Sequence, residues 1–110
     1  MKVHLIRKGT IEEYVNQYAA SRNSFKEWQE KIKNADWETP ADITQTFASA
    51  DLLGKGSNRV IFDIAGNRHR MICKYVFGFR QVHLFICWLG PHSKYNWLCS
   101  EGRQYTISDY

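Results

Sequence analysis

His92 and Tyr95 stand three residues apart directly after Gly90-Pro91, and upstream of them Arg68, Arg70 and Lys74 occupy alternate positions of a segment free of Gly and Pro. On a helix, residues three apart face the same side; on a strand, alternate residues do. An imidazole that titrates near pH ~6.5, beside a forked guanidinium and a point-charge ammonium, is a set suited to acting on a phosphodiester. Metal-free cleavage of RNA needs a base for the ribose 2′-OH, an acid for the departing 5′ oxygen, and positive charge on the crowded phosphate between them.

In that chemistry His92 is the proton-transfer candidate, Arg70 and Lys74 bind the scissile phosphate, and Tyr95 stacks on a base or donates its hydroxyl. A lysine crowded by arginines could also have a lowered pKa and serve as base, so the division of acid and base stays open. Lys55, Arg59, Asn67, Arg68 and Lys94 are the expected RNA-binding residues around the cut. The same residues also fit plainer roles. His92 beside Pro91 can cap a helix, Tyr95 can be a packing residue, and the Arg68, Arg70, Lys74 row can be a solvated face or a docking surface for an acidic protein segment. No carboxylate pair, Ser-His-Asp set or His/Cys cluster competes as an active site, and no metal or cofactor is expected.

These residues need a sheet and a short helix to hold them. Val60, Phe62 and Ile64 alternate with Ile61 and Asp63, and Gly66-Asn67 is a hairpin turn. In the next strand Arg68, Arg70, Ile72, Lys74 and Val76 point one way, while His69, Met71, Cys73, Tyr75 and Phe77 form the core side. Val82 to Leu89 is apolar on both faces, as a central strand is, and His83 within it reads as structural. Pro91 opens the short helix that carries His92 and Tyr95.

The N-terminal half reads as support. Val3 to Ile6 forms a short strand. Thr10 and Glu13 have capping-box spacing before Ile11, Tyr14, Val15 and Tyr18 on one helical face. Ser24 and Glu27 repeat the spacing before Phe25, Trp28 and Ile32, and Thr39-Pro-Ala-Asp42 starts a third helix ending near Phe47. The two aromatic stripes are read as core rather than as base-stacking platforms. Ala50 to Asn58 is expected to be a mobile loop: Gly54-Lys-Gly-Ser57 lacks the full phosphate-loop pattern. After Trp97 the pattern is lost, leaving Ser100 to Tyr110 as a strand, a helix or a tail.

At 110 residues with 44% hydrophobic content, the chain is the size of one domain, expected to span residues 1–110. No apolar run approaches the ~20 residues that cross a bilayer, and the start lacks a signal peptide's apolar centre, so a cytoplasmic location away from membranes is expected. Cys73, Cys87 and Cys99 form no Cys-x-x-Cys pair and are read as free thiols, two of them in strands. The net charge of +4 is uneven: Gly54 to Tyr110 holds eight Lys/Arg against three Asp/Glu, with Asp63 the one acid between Lys55 and Lys94. That field attracts phosphate backbones, acidic proteins or anionic membranes.

The order of Asp36-Trp-Glu-Thr-Pro-Ala-Asp42, Ser49-Ala-Asp-Leu-Leu-Gly54, Asn58-Arg-Val-Ile-Phe-Asp-Ile-Ala-Gly-Asn-Arg-His-Arg70 and Gly90-Pro-His-Ser-Lys-Tyr95 resembles the HigB-type toxins of the RelE-like superfamily, up to about Asn96. The resemblance implies an α+β fold: a small antiparallel sheet of about three to five strands, with two or three N-terminal helices on one face and an RNA cleft on the other. It implies an endoribonuclease that cuts mRNA on the ribosome, in the decoding site, and is neutralised by a helix-turn-helix antitoxin. Arg70 and Lys74 match the family's basic strand positions, and His92 and Tyr95 its His-x-x-Tyr element. Pro91 and Asn96 depart from the family's usual Thr and Asp. That departure keeps a non-catalytic RNA-binding or antitoxin-binding module as the alternative.

Overall fold

The computed structural model describes all 110 residues, and its centre is a five-stranded sheet in the order β1-β5-β4-β3-β2. The strands are β1 (Lys2–Ile6), β2 (Asp51–Leu53), β3 (Arg59–Ile64), β4 (His69–Phe77) and β5 (Gln81–Pro91). The helices are α1 (Lys8–Gln17), α2 (Arg22–Lys33), α3 (Ala41–Thr46) and α4 (His92–Ser100). The architecture is α+β, as expected, but the sheet is mixed. Strands β2 to β5 pair antiparallel, whereas β1 runs parallel to β5, with His4 opposite His83. Helices α1 to α3 and the rest of the sheet intervene between these two strands, giving the long connection that a parallel pair requires.

The alternation in β3 to β5 does what its period dictates. Val60, Phe62, Ile64, Met71, Cys73, Tyr75, Val82, Leu84 and Ile86 all turn to one face. There they pack with Ile11, Tyr14 and Val15 of α1, Phe25, Trp28 and Ile32 of α2, and Ile43 of α3. Trp37, in the connector between α2 and α3, is fully enclosed and donates from Nε1 to Thr46 at 2.9 Å. Each such side chain withdrawn from water contributes on the order of 1.5–3 kcal/mol.

The opposite face holds a second, smaller core. Ile61, Ile72, Cys87 and Trp88 of the sheet are covered by Tyr95 and Leu98 of α4 and by Ile107. A register shift between Ile72 and Cys73 pairs Ile72 with Trp88 and Cys73 with Ile86, leaving Cys87 as the extra residue. Such a bulge turns Cys87 and Trp88 toward the same cluster. Trp88 lies across Gly90, where a Cβ would come within 2.5 Å of the indole ring, so a side chain there requires the ring to move.

Local starts and stops differ from the sequence reading at several points. Neither capping box forms. Helix α1 begins at Lys8 after Arg7, which adopts φ 74°, and α2 begins at Arg22 with no side-chain cap. The chain leaving β1 must turn at once into α1, and that places the helix start ahead of Thr10. Helix α3 starts at Ala41 after Pro40, one residue later than expected and with no side-chain cap from Thr39, while Asp42 in its first turn accepts from the backbone N–H of Glu38 and Thr39, which lowers its pKa. Asp51–Leu53, expected within a loop, is the edge strand β2, paired with Ile61 to Arg59. The last residues form a 3-10 turn, Arg103–Tyr105, followed by a strap across the second face. In that strap Arg59 donates to the Ile107 carbonyl at 3.3 Å, and the Asp109 N–H donates to the Cys87 carbonyl at 2.9 Å. All three cysteines are free, Cys73 and Cys87 buried and Cys99 half-buried.

Candidate active site

The second face is built at one end around Arg70. The β3–β4 hairpin sets Asp63 opposite Arg70, and the guanidinium Nε lies 3.2 Å from Asp63 Oδ1 as an ion pair, off the line of a hydrogen bond. Its Nη2 donates to Asn67 Oδ1 at 2.7 Å. Its Cζ sits 4.6 Å from the centre of the Tyr95 ring, a cation–π contact. Three neighbours therefore fix a planar group that has five N–H donors, so its charge is pre-aimed rather than floppy.

Helix α4 is fastened to the same end. The His92 backbone N–H donates to the Arg68 carbonyl at 3.0 Å, continuing the β4–β5 ladder, in which His69 faces Pro91 and Arg70 faces Gly90. His92 thus begins α4 beside Arg70's end of the strand. Its Nδ1 is enclosed and has no hydrogen-bond partner within the chain. Tyr95 is buried, packed on Trp88, and its hydroxyl pKa is raised by burial first and the Cys99 thiol second, with Arg70 opposing. It stays protonated at neutral pH. Its position makes it Arg70's support rather than an open stacking platform.

Lys74 does not join this group. It lies four residues along β4 from Arg70, about 13 Å by the strand rise. Between them Ile72 is fully buried under α4 and the strap. The cation row expected from the alternation is therefore interrupted. Lys74 instead borders a cavity of about 470 Å³ with Ile6, Arg7, Phe85, Ile86, Cys87, Ser108 and Tyr110.

The expected RNA-binding residues are dispersed. Asn67 belongs to the Arg70 clamp, and Arg68 is exposed beside it. Arg59 spends its guanidinium on the Ser57 and Ile107 carbonyls, holding the strap. Lys55 lies 4.7 Å over the Tyr105 ring. Lys94 lines a separate groove of about 420 Å³ with Trp97 and Arg103. Asn96 is exposed on α4. No group of three or more His, Cys, Asp or Glu side chains is placed to hold a metal ion.

Asp63 is the site residue that type and spacing left out. It was legible as the one acid between Lys55 and Lys94, but only the hairpin register sets it against Arg70. His69, expected on the core side of its strand, lies on the helix-covered face, where its Nδ1 is 2.7 Å from the Tyr14 hydroxyl, and burial, then Arg68, lower its pKa.

The HigB_toxin family model, described as the RelE-like toxic component of a toxin–antitoxin system, matches residues 21–98, a span that holds the Arg70 clamp and His92. The chain belongs to the HigB_toxin family. Membership makes it the toxin of such a system, with an antitoxin as its counterpart. The match excludes β1, α1 and the strap. Among curated proteins none matches the chain. No helix is long and apolar enough to cross a membrane.

Proposed function

We propose that this toxin is an endoribonuclease that cuts mRNA on the ribosome, in the cytoplasm, by 2′-OH attack and without a metal. The observation that carries the reading is the Arg70 clamp: a guanidinium held by Asp63, Asn67 and Tyr95 at the strand end where His92 opens α4. Arg70 neutralises the crowded phosphate, a role worth roughly 100 to 1,000-fold in rate for a fixed donor. His92 takes the 2′-OH proton. The 2′ oxygen bonds to phosphorus, the bond to the 5′ oxygen breaks, and water supplies that oxygen's proton, leaving a 2′,3′-cyclic phosphate. Tyr95 positions Arg70, and Arg68 binds backbone beside the cut. The antitoxin counterpart is a helix-turn-helix protein.

A second reading, an RNA- or antitoxin-binding module without catalysis, has one observation in its favour: Asp63 already answers Arg70's charge, and Asn96 stands where the family usually carries an acid. Message incubated with translating ribosomes and chelator separates the two. The nuclease reading expects defined cuts with cyclic-phosphate ends that disappear in His92→Ala; intact message despite salt-sensitive RNA binding would establish the binding module.

A further inference from the structure

We infer that the cavity beside Lys74 is a nucleotide-binding pocket, which takes one unpaired nucleotide of the RNA a short distance along the strand from the cut. The inference rests on the reading that RNA is the substrate, but the pocket is separate from the Arg70 clamp. Two cations, Arg7 and Lys74, line it, and no Asp or Glu does. Neither side chain makes an ion pair or hydrogen bond within the chain, in contrast to Arg59 and Arg70, which are both engaged. Glu13 and Asp109 stand near enough to act on the Tyr110 hydroxyl, but neither pairs with Arg7 or Lys74, which leaves both cations able to meet a phosphate.

The rest of the lining suits the other half of a nucleotide. Phe85 and Tyr110 offer aromatic surface, Ile6 and Ile86 are aliphatic, and Ser108 adds a hydroxyl. A cavity of about 470 Å³ with mostly apolar walls and a few polar groups is the usual make-up of a small-molecule site. Aromatic faces accept any base by stacking, and a neighbouring cation follows the backbone. The pocket opens on the same sheet face as Arg70, some 13 Å along β4, a span that a short run of extended nucleotides covers. The strap lies between the two and forms one wall through Ser108 and Tyr110.

Ile6, Arg7, Ser108 and Tyr110 all fall outside the residues matched by the family. The pocket thus joins the β1–α1 junction and the C-terminal strap, outside the matched span, to β4 and β5, which lie within it.

The test is a fluorescence titration of the full-length protein with a short 2′-O-methyl single-stranded RNA, which cannot be cut by 2′-OH attack. Arg7→Gln is expected to weaken binding about tenfold, the value of one charge-assisted contact. It should also reduce the slope of log affinity against log salt by about 0.7, the single-strand value for one lost phosphate contact. Tyr110→Ser should weaken binding with the salt slope unchanged, because it removes stacking and not charge. Lys33→Gln, an equal charge loss on the helical side, should leave affinity within about twofold. Equal effects of Arg7→Gln and Lys33→Gln would overturn the pocket, as would Arg7→Gln sparing RNA but weakening the antitoxin. Thermal melts of each variant separate lost contacts from lost fold. If message is not cut but Arg7-dependent binding persists, the nuclease reading alone fails; if message is cut and binding ignores Arg7, the pocket alone fails.

Discussion

The two faces of the sheet are built to opposite ends. Under α1 to α3, twenty buried residues form one continuous apolar body, with Trp37, Phe25 and Phe62 at its centre. Across the sheet only seven do, and the strap through Ile107 divides that face into a clamped Arg70 end and an open Lys74 end. Stability and chemistry are thus kept on separate faces. The helical face supplies the folding energy, and the second face can then keep cations partly exposed and a pocket unfilled, neither of which helps folding.

If the helical face carries the stability, substitutions there cost the most. Trp37→Ala removes a fully enclosed indole and should cost about 3–5 kcal/mol in urea denaturation. Ile107→Ala, in the small core, should cost less, near the ~2 kcal/mol lower end for such truncations. Equal losses would mean that the strap is as central as the helices. Next in size, Gly90→Ala forces a methyl against the Trp88 ring and should lower stability by about 1–3 kcal/mol, read as a fall in melting temperature. Unchanged melting would show that the second core is loose enough to absorb it.

A smaller effect belongs to the polar pair inside the helical face. Tyr14→Phe deletes the hydroxyl 2.7 Å from His69 and should cost about 1 kcal/mol. The same pair sets a pH dependence. Because burial depresses the folded-state pKa of His69, the unfolded chain takes up its proton first on acidification. Its contribution is complete above the unfolded value of ~6.5 and is lost as pH falls from there through the folded pKa. His69→Gln should flatten that part of the stability profile, and a profile of unchanged slope would remove His69 from the account.

The sequence was informative wherever periodicity and burial coincide. Met71, Cys73 and Tyr75 turn to the core as alternation requires, and the aromatic stripes of α1 and α2 are core. It was silent where position depends on distant partners. Nothing local in Asp51–Leu53 signals an edge strand: three residues are too few to show a period, and the strand exists because β3 offers it a partner. The strap depends on Arg59 reaching a carbonyl 48 residues away. For the candidate site, Arg70, Asn67, His92 and Tyr95 were legible and are brought to one end. The alternation also placed Lys74 on the same face correctly, but it could not show that α4 and the strap would settle on Ile72 and part it from Arg70.

The most direct measurement is the rate of message cutting at saturating message for Arg70→Ala and Lys74→Ala, each checked for a native melt. Arg70→Ala should lose about 100-fold or more, the scale of removing one fixed donor from a developing charge, with Lys74→Ala acting mainly on affinity. Cutting at the wild-type rate by Arg70→Ala, together with its abolition in Lys74→Ala, would contradict it and move the chemistry to the other end of the strand.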